Sequence, residues 1–226
     1  YIESMRAIWD CWQNGTKLDY NGEHYNFSLM IPYYDPGPIE HPKVPVYIAA
    51  INKLMLRLTG EIADGHIPGE PVTYKWFCEM MLPNMEIGAK RAGRSLKDID
   101  LANHGLIGCA RTEAGLEAVR KRVRERVALY ASTPEYRPML DMHGWRDKFP
   151  TFIELAREGK WEEMGNHVSD EMVDQYSVIG TPDELPGKLA ARFGGVAQRV
   201  QMDDAWYEDM SDDDIRKLVA AIKRIE

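Results

Sequence analysis

Apolar positions along the chain alternate between two periods, and the changes of period divide it into elements. Ile2, Met5, Trp9 and Trp12 share one helical face, and Asn14-Gly15 is a common helix stop. No capping residue precedes this helix, so the chain is expected to begin inside it, as a fragment or a trimmed chain. Leu18, Tyr20, Tyr25 and Phe27 flank Asn21-Gly22, which predicts a β-hairpin turning at that pair. Residues 30–43, MIPYYDPGPIEHPK, hold four prolines without periodicity and read as an irregular crossing loop.

Val44 to Ala50 is apolar at almost every position, as in a parallel strand covered on both faces. It passes directly into a helix over 52–63. That helix is expected to turn Leu54, Leu58 and Ile62 inward and to lay Gly60 and Ala63 against a sheet. Gly65 to Pro68 reads as a second strand, and 71–92 as a helix broken by Pro83 and ended at Gly93. Asp98 to Ala110 is a third strand. Thr112 then caps a long helix with Leu116, Val119, Val123, Val127 and Tyr130 inward and a charged face bearing Arg120, Lys121, Arg122, Arg124 and Arg126.

STPEYRPMLDMHGW, residues 132–145, opens a structured excursion that continues as helical segments to 176. VIGTPDEL follows, with Thr181, Pro182 and Glu184 as a capping-box helix start. Residues 197–204 form a fourth strand, and Ser211 caps a last helix with Ile215, Leu218, Val219, Ile222 and Ile225 inward. Strand–helix alternation of this kind implies an α/β fold with parallel strands and right-handed crossovers. Four such units, without the glycine-rich dinucleotide fingerprint, fit half of an eight-stranded barrel better than a doubly wound sheet. A complete barrel needs about 250 residues. The whole chain, 1–226, is expected to be a single domain, with 15–43 a hairpin and proline-rich insertion and 132–176 an excursion on the substrate side.

Composition narrows the partners. With 36 acidic against 28 basic residues, a net charge of −8 argues against nucleic acid or an anionic membrane and favours a small-molecule ligand. The three cysteines show no metal spacing, which suggests reduced, buried thiols in a cytoplasmic protein. No stretch approaches the roughly 20 apolar residues of a membrane span, and no signal peptide is evident. The sequon at Asn26 is therefore expected to stay unglycosylated.

GxSxG, GxxxxGK[ST], HExxH and GxGxxG are all absent, and the six histidines lack ligand spacing. His104, in mid-strand, reads as a satisfied interior imidazole. Two places remain at strand C-terminal ends, where barrel enzymes do chemistry. One is the junction at Ala49 to Met55. A strand feeding straight into a helix leaves backbone N–H groups unpaired at the positive end of the helix dipole, a place for an anion. The alternative there is an ordinary helix start capped by Asn52. The other gathers His66, Arg111 and Asp203-Asp204 at strand ends, where the paired aspartates could serve as acid, base or ligand or could form a turn. His143 and Trp145 could line a substrate pocket with His66, or could pack the excursion onto the barrel.

These residues resemble the bacterial luciferase-like monooxygenase superfamily, and within it the branch of oxidoreductases that use coenzyme F420. The likeness is carried in order by YIESMRAIWDCWQ, YNGEHYNF, VPVYIAAINKLMLRLTGEIADG, RAGRSLKDIDL, YASTPEYRPMLDMHGW and VIGTPDEL. It implies a TIM (β/α)8 barrel of the luciferase-like type, here a partial barrel lacking its N-terminal strands. It also implies a homodimer when full length and a flavin or F420 site at the C-terminal face. Carried over, the cofactor's phosphate-bearing tail would meet Ala50, Ile51, Asn52, Leu54 and Met55. Many relatives have small residues and a Gly-Pro where this chain has Ile51, Asn52 and Lys53, so the contact would be mainly through backbone. The resemblance places the catalytic residues in a first half of the barrel that precedes this chain, so none is assigned here and the fragment alone would be inactive. The implied chemistry is hydride transfer with F420 to or from a small organic substrate. The alternatives are a reduced-FMN monooxygenase and a non-catalytic flavin-binding homologue.

Overall fold

The computed structural model describes residues 1–67, 71–103, 105–202 and 207–225. His104, Pro68 and the Asp203-Asp204 pair lie outside them. In chain order the elements begin with α1 (Ile2–Asn14), β1 (Tyr20–Asn21), β2 (Asn26–Phe27), β3 (Tyr47–Ala49), α2 (Lys53–Ile62) and β4 (Gly65–Ile67). Next come α3 (Tyr74–Trp76), α4 (Leu82–Arg91), β5 (Asp100–Asn103), β6 (Leu106–Ala110) and α5 (Glu113–Ala131). The excursion holds α6 (Arg137–Met142), α7 (Phe149–Arg157), α8 (Trp161–Gly165) and α9 (Asp170–Tyr176). The chain closes with β7 (Ser177–Gly180), α10 (Leu185–Phe193), β8 (Arg199–Val200), β9 (Tyr207–Glu208) and α11 (Asp212–Ile222).

Strands β3, β4, β5 and β8 form one sheet in that spatial order, and β7, β6 and β9 a second. Every pairing in both sheets is parallel. The four strands expected from the sequence are the four strands of the first sheet. Asp98 to Ala110, however, is two strands and not one. Asn103 pairs with Val200 and Cys109 with Tyr207, so six positions on the earlier chain face seven on the later. The register offset thus changes by one residue between the two sheets.

Within the first sheet, Ile48 and His66 are register partners, and His66 pairs in turn with Leu101. Parallel partners share a face, and this face belongs to the helices: Leu101 is buried in one cluster with Leu56, Met85 and Ala89. On the other face Ala49 and Ile67 are exposed. A second buried cluster joins Ile107, Cys109, Val178, Leu185, Leu189, Phe193 and Leu218 around the second sheet.

Several sequence expectations need correction. The hairpin does not turn at Asn21-Gly22: Asn21 pairs with Asn26, and the Gly22 N–H donates to the Tyr25 carbonyl, so the loop is Gly22 to Tyr25. β3 is an edge strand among the described residues, with Ala49 exposed, and is not covered on both faces. Leu54 is 79% exposed and Leu58 41%, whereas Leu56, Thr59, Gly60 and Ala63 are buried. The reason is the helix partner. A Cβ on Gly60 would stand 1.9 Å from the Met85 carbonyl, and one on Gly88 1.8 Å from the Arg57 carbonyl, so two glycines let α2 and α4 touch backbone to backbone. Gly60 therefore meets a helix rather than a sheet.

The segment 177–180 is strand β7, a strand not foreseen, and the helix after it begins at Leu185. Pro182 lies in the preceding turn, while Glu184 accepts from the Thr181 N–H as half of the expected box. Other local signals hold. Thr112 accepts from Gly115 N–H, and Ser211 and Asp214 form a full capping box. Pro83 follows a π-helical turn, Phe77–Met81, that absorbs its missing donor. The basic face of α5 is laced with ion pairs, Arg120 to Glu113, Arg122 to Glu208 and Arg124 to Glu117 and Asp170.

Candidate functional site

The strand-to-helix junction is built from backbone, and its details follow from where two carbonyls go. β3 ends at Ala49, so the Ala50 and Ile51 carbonyls lie beyond the ladder. The Ala50 oxygen accepts from His66 Nε2 at 2.8 Å, and the Ile51 oxygen accepts from the Trp76 indole N–H at 3.2 Å. A trans peptide points its N–H opposite to its carbonyl. The N–H groups of Ile51 and Asn52 are therefore turned away from these two side chains. Asn52 is the extended N-cap of α2, and its side chain makes no capping bond. The first helical bond is Leu56 N–H to Asn52 O at 3.0 Å. Lys53, Leu54 and Met55 thus begin α2 with amide donors that have no partner within the helix, at the positive end of its dipole. Exposed Leu54 and Met55 flank them.

His66 is wholly enclosed, at 0% exposure. Burial pushes its pKa down to about 4, and the bond to the Ala50 carbonyl offsets only part of that. The ring is neutral near pH 7, and because a carbonyl can only accept, the proton sits on Nε2. Nδ1 is then a bare acceptor, buried and with no hydrogen-bond partner among the described residues. A satisfied core imidazole would match both nitrogens, and this one matches one.

His143 and Trp145 stack at 4.2 Å with planes 10° apart, and Trp145 is buried. His143 Nε2 meets Thr73 Oγ1 at 2.9 Å, and the same oxygen caps the Trp76 N–H at 3.1 Å. Lys75 Nζ donates to the Met142 carbonyl at 3.2 Å. The pKa of His143 is lowered, first by burial and then by Lys75. The excursion is therefore docked on the short helix whose Trp76 holds Ile51. The structure unites what the sequence left apart: His66 reaches the junction directly, and His143 reaches it through Thr73 and Trp76.

Arg111 stands apart on the rim of the second sheet, with its N–H on Asp209 Oδ1 at 2.7 Å and its guanidinium on Asp214. Thr73 and Trp76 were not singled out from the sequence. Thr73 caps the Trp76 N–H, a local signal a Thr ahead of a helix can give, whereas the target of Trp76, 25 positions back, has no local signal.

On the open face of the first sheet, Tyr47 Oη donates to Asp100 Oδ2 at 2.5 Å and Arg199 Nε to the same oxygen at 2.5 Å. Burial works against the Asp100 carboxylate, yet the bonds from Tyr47 and Arg199 hold its pKa below the usual range. Tyr47 lies across Gly65, where a Cβ would come within 2.1 Å of its ring. Tyr47 and Arg199 border an open cavity of about 560 Å³ lined also by Ile67, Ala102 and Gln201. The Tyr47 hydroxyl and the Arg199 Nε–H converge on one Asp100 oxygen, which ties β3, β5 and β8 together.

The comparison that decides the relationship is the match of residues 1–199 to the family described as luciferase-like monooxygenase. The chain belongs to that family. An uncharacterised protein of Mycobacterium tuberculosis is 36% identical over 200 residues, covering 88% of this chain and 59% of the relative. The 5,10-methylenetetrahydromethanopterin reductase of Methanopyrus kandleri is 29% identical over 204 residues, covering 88% and 55% respectively. An F420-dependent glucose-6-phosphate dehydrogenase of Nocardia farcinica is 32% identical over 99 residues, 44% of this chain and 27% of that protein. The chain thus spans little more than half the length of its first curated relatives.

Among solved structures, the coenzyme F420-dependent tetrahydromethanopterin reductase of Methanopyrus kandleri superposes with a TM-score of 0.71 at 24% identity, over 99% of this chain and 60% of that one. An F420-dependent secondary alcohol dehydrogenase, solved with an F420–acetone adduct, gives 0.62 at 14% identity, over 98% and 60%. These likenesses show the fold: a partial luciferase-like barrel, as the family resemblance implied. Among the described residues no three His, Cys, Asp or Glu side chains gather to hold a metal, and no helix is long and apolar enough to cross a membrane.

Proposed function

We propose that this luciferase-like chain serves a coenzyme F420-dependent oxidoreductase acting on a small organic substrate. In that reading the backbone of Ala50, Ile51 and Asn52 and the first turn of α2, with Leu54 and Met55 alongside, receives the phosphate-bearing tail of the cofactor. The observation that carries it is the junction itself. Two consecutive carbonyls are held inward, the Asn52 side chain leaves the helix start uncapped, and successive amide donors stand at a dipole end in a family with F420-dependent relatives.

The residues fit the group. A phosphate needs N–H donors and positive potential; Ala50 itself is buried, whereas Asn52, Lys53, Leu54 and Met55 at the start of α2 are exposed and leave their amides approachable. When bound, F420 supplies a deazaflavin ring that gives or takes a hydride. This chain's part is to bind and orient: the α2 amides hold the tail, while His66 and Trp76 keep the carbonyls out of its way. His66 is enclosed and supports the junction from beneath. The half-buried edge of His143, stacked on Trp145, is where the excursion would face a substrate.

The test is a fluorescence titration of the complete polypeptide with F420 and, separately, with FMN. Saturable F420 binding with weak FMN binding supports the proposal. Tight FMN binding without F420 binding refutes it and favours the reduced-FMN monooxygenase that the family description permits.

A further inference from the structure

We propose that His66 and Trp76 are positioning residues for the cofactor tail, acting through the Ala50 and Ile51 carbonyls; this rests on the F420 reading above. Two features single them out. Side chains from two different elements, β4 and α3, each commit a donor to consecutive carbonyls of one two-residue junction, at 2.8 and 3.2 Å. Neither bond belongs to a ladder or a helix, and together they fix two successive peptide planes.

His66 is also a costly choice for a core position. An aliphatic side chain would fill the same enclosed space without leaving a buried Nδ1 unmatched. What the imidazole adds is one directed bond, and that bond ends on the carbonyl just ahead of the amides assigned to the tail. Were the Ala50 carbonyl unpaired, its peptide could turn toward solvent, taking the Ile51 N–H inward and removing a donor from the anion site. Trp76 does the same for the next plane. Its own helix is capped by Thr73, which holds His143, so the excursion steadies the second anchor.

The experiment uses the complete polypeptide and two probes: F420, and a deazaflavin carrying the ribityl chain but no phosphate-bearing tail. Fluorescence titrations are compared for wild type, His66→Leu, His66→Gln and Trp76→Phe. The glutamine amide can reproduce the Nε2 donor; leucine cannot. The expected result is F420 binding about tenfold weaker in His66→Leu and about threefold weaker in Trp76→Phe, the loss of one hydrogen bond each. His66→Gln should stay near wild type, and the tail-less probe should bind all four proteins within about twofold, because the lost contact lies on the tail. Equal weakening of both probes, unchanged F420 affinity in His66→Leu and Trp76→Phe, or failure of His66→Gln to rescue would each overturn the proposal. Should His66→Leu not fold, Trp76→Phe decides in the same terms. A wild type that binds neither probe overturns the F420 reading itself, a result distinct from a junction that binds F420 without help from these two side chains.

Discussion

Acidification should strip stability from this fold through His66, and by an amount the structure allows one to work out. The imidazole is held neutral, its pKa pushed from the ordinary 6.5 down to about 4. The unfolded chain then binds a proton that the folded chain refuses between those two values. The folded-state pKa is depressed, so the stability is complete above about pH 6.5 and is lost as pH falls toward 4. By pH 4.5 the loss amounts to about 2 to 3 kcal/mol, at 1.36 kcal/mol for each tenfold change in proton activity. Carboxylates such as Asp98, Asp214 and Glu184, which hydrogen bonds hold below their usual range, begin to weaken the fold only at the acid end of this interval, as pH falls to their ordinary values and below. A single curve therefore cannot isolate His66. The assay is a pair of urea-unfolding series, for wild type and His66→Gln, at pH 7.0, 6.0, 5.0 and 4.5. Glutamine keeps the bond to the Ala50 carbonyl and cannot titrate. The wild type should lose about 2 kcal/mol more than the variant across the series. Parallel curves would refute the account of an enclosed, neutral imidazole.

Other changes probe the frame that carries the junction. Gly60→Ala would drive a methyl into the Met85 carbonyl across the α2–α4 contact and should cost about 2 to 3 kcal/mol in urea unfolding. Gly88→Ala, the reciprocal contact, should cost a similar amount, and the double variant less than the sum, because separating the helices once relieves both clashes. Arg94 donates to the Gly60, Glu61 and Ala63 carbonyls at the end of α2 and to Asp98, so Arg94→Met should cost about 1 to 2 kcal/mol, measured the same way. Gly65→Ala should push Tyr47 off Asp100. That would appear as a downward shift of the Tyr47 phenol pKa, which the Asp100 hydrogen bond now raises, in an ultraviolet titration.

The parts of the fold legible in the sequence are those fixed by neighbours along the chain. Thr112 and Ser211 announced their helices, since a cap acts within three residues. Pro83 announced a break because its effect reaches no further than the preceding turn. Of the strands in the first sheet only Val44 to Ala50 showed as an apolar run; the other three were legible from the alternation of strand and helix. What was hidden depends on distant partners. The stripe Leu54, Leu58 and Ile62 looks inward by periodicity, but Gly60 and Gly88 choose the contact, and they lie 28 residues apart in sequence. β7 was missed because Val178 to Gly180 is short, and only its pairing with Ile107 to Cys109 makes it a strand. The same holds at the site. The junction was visible as a strand running into a helix, while its two anchors belong to elements that chain order gives no reason to place there.

The central claim, that the backbone of this junction grips the tail of F420, is tested most directly by amide hydrogen exchange on the complete polypeptide, with and without F420. The account predicts that exchange slows at Ile51, Asn52, Lys53, Leu54 and Met55 when F420 is added, and slows much less with the tail-less deazaflavin. Saturating F420 with no change of exchange at these five amides would contradict it.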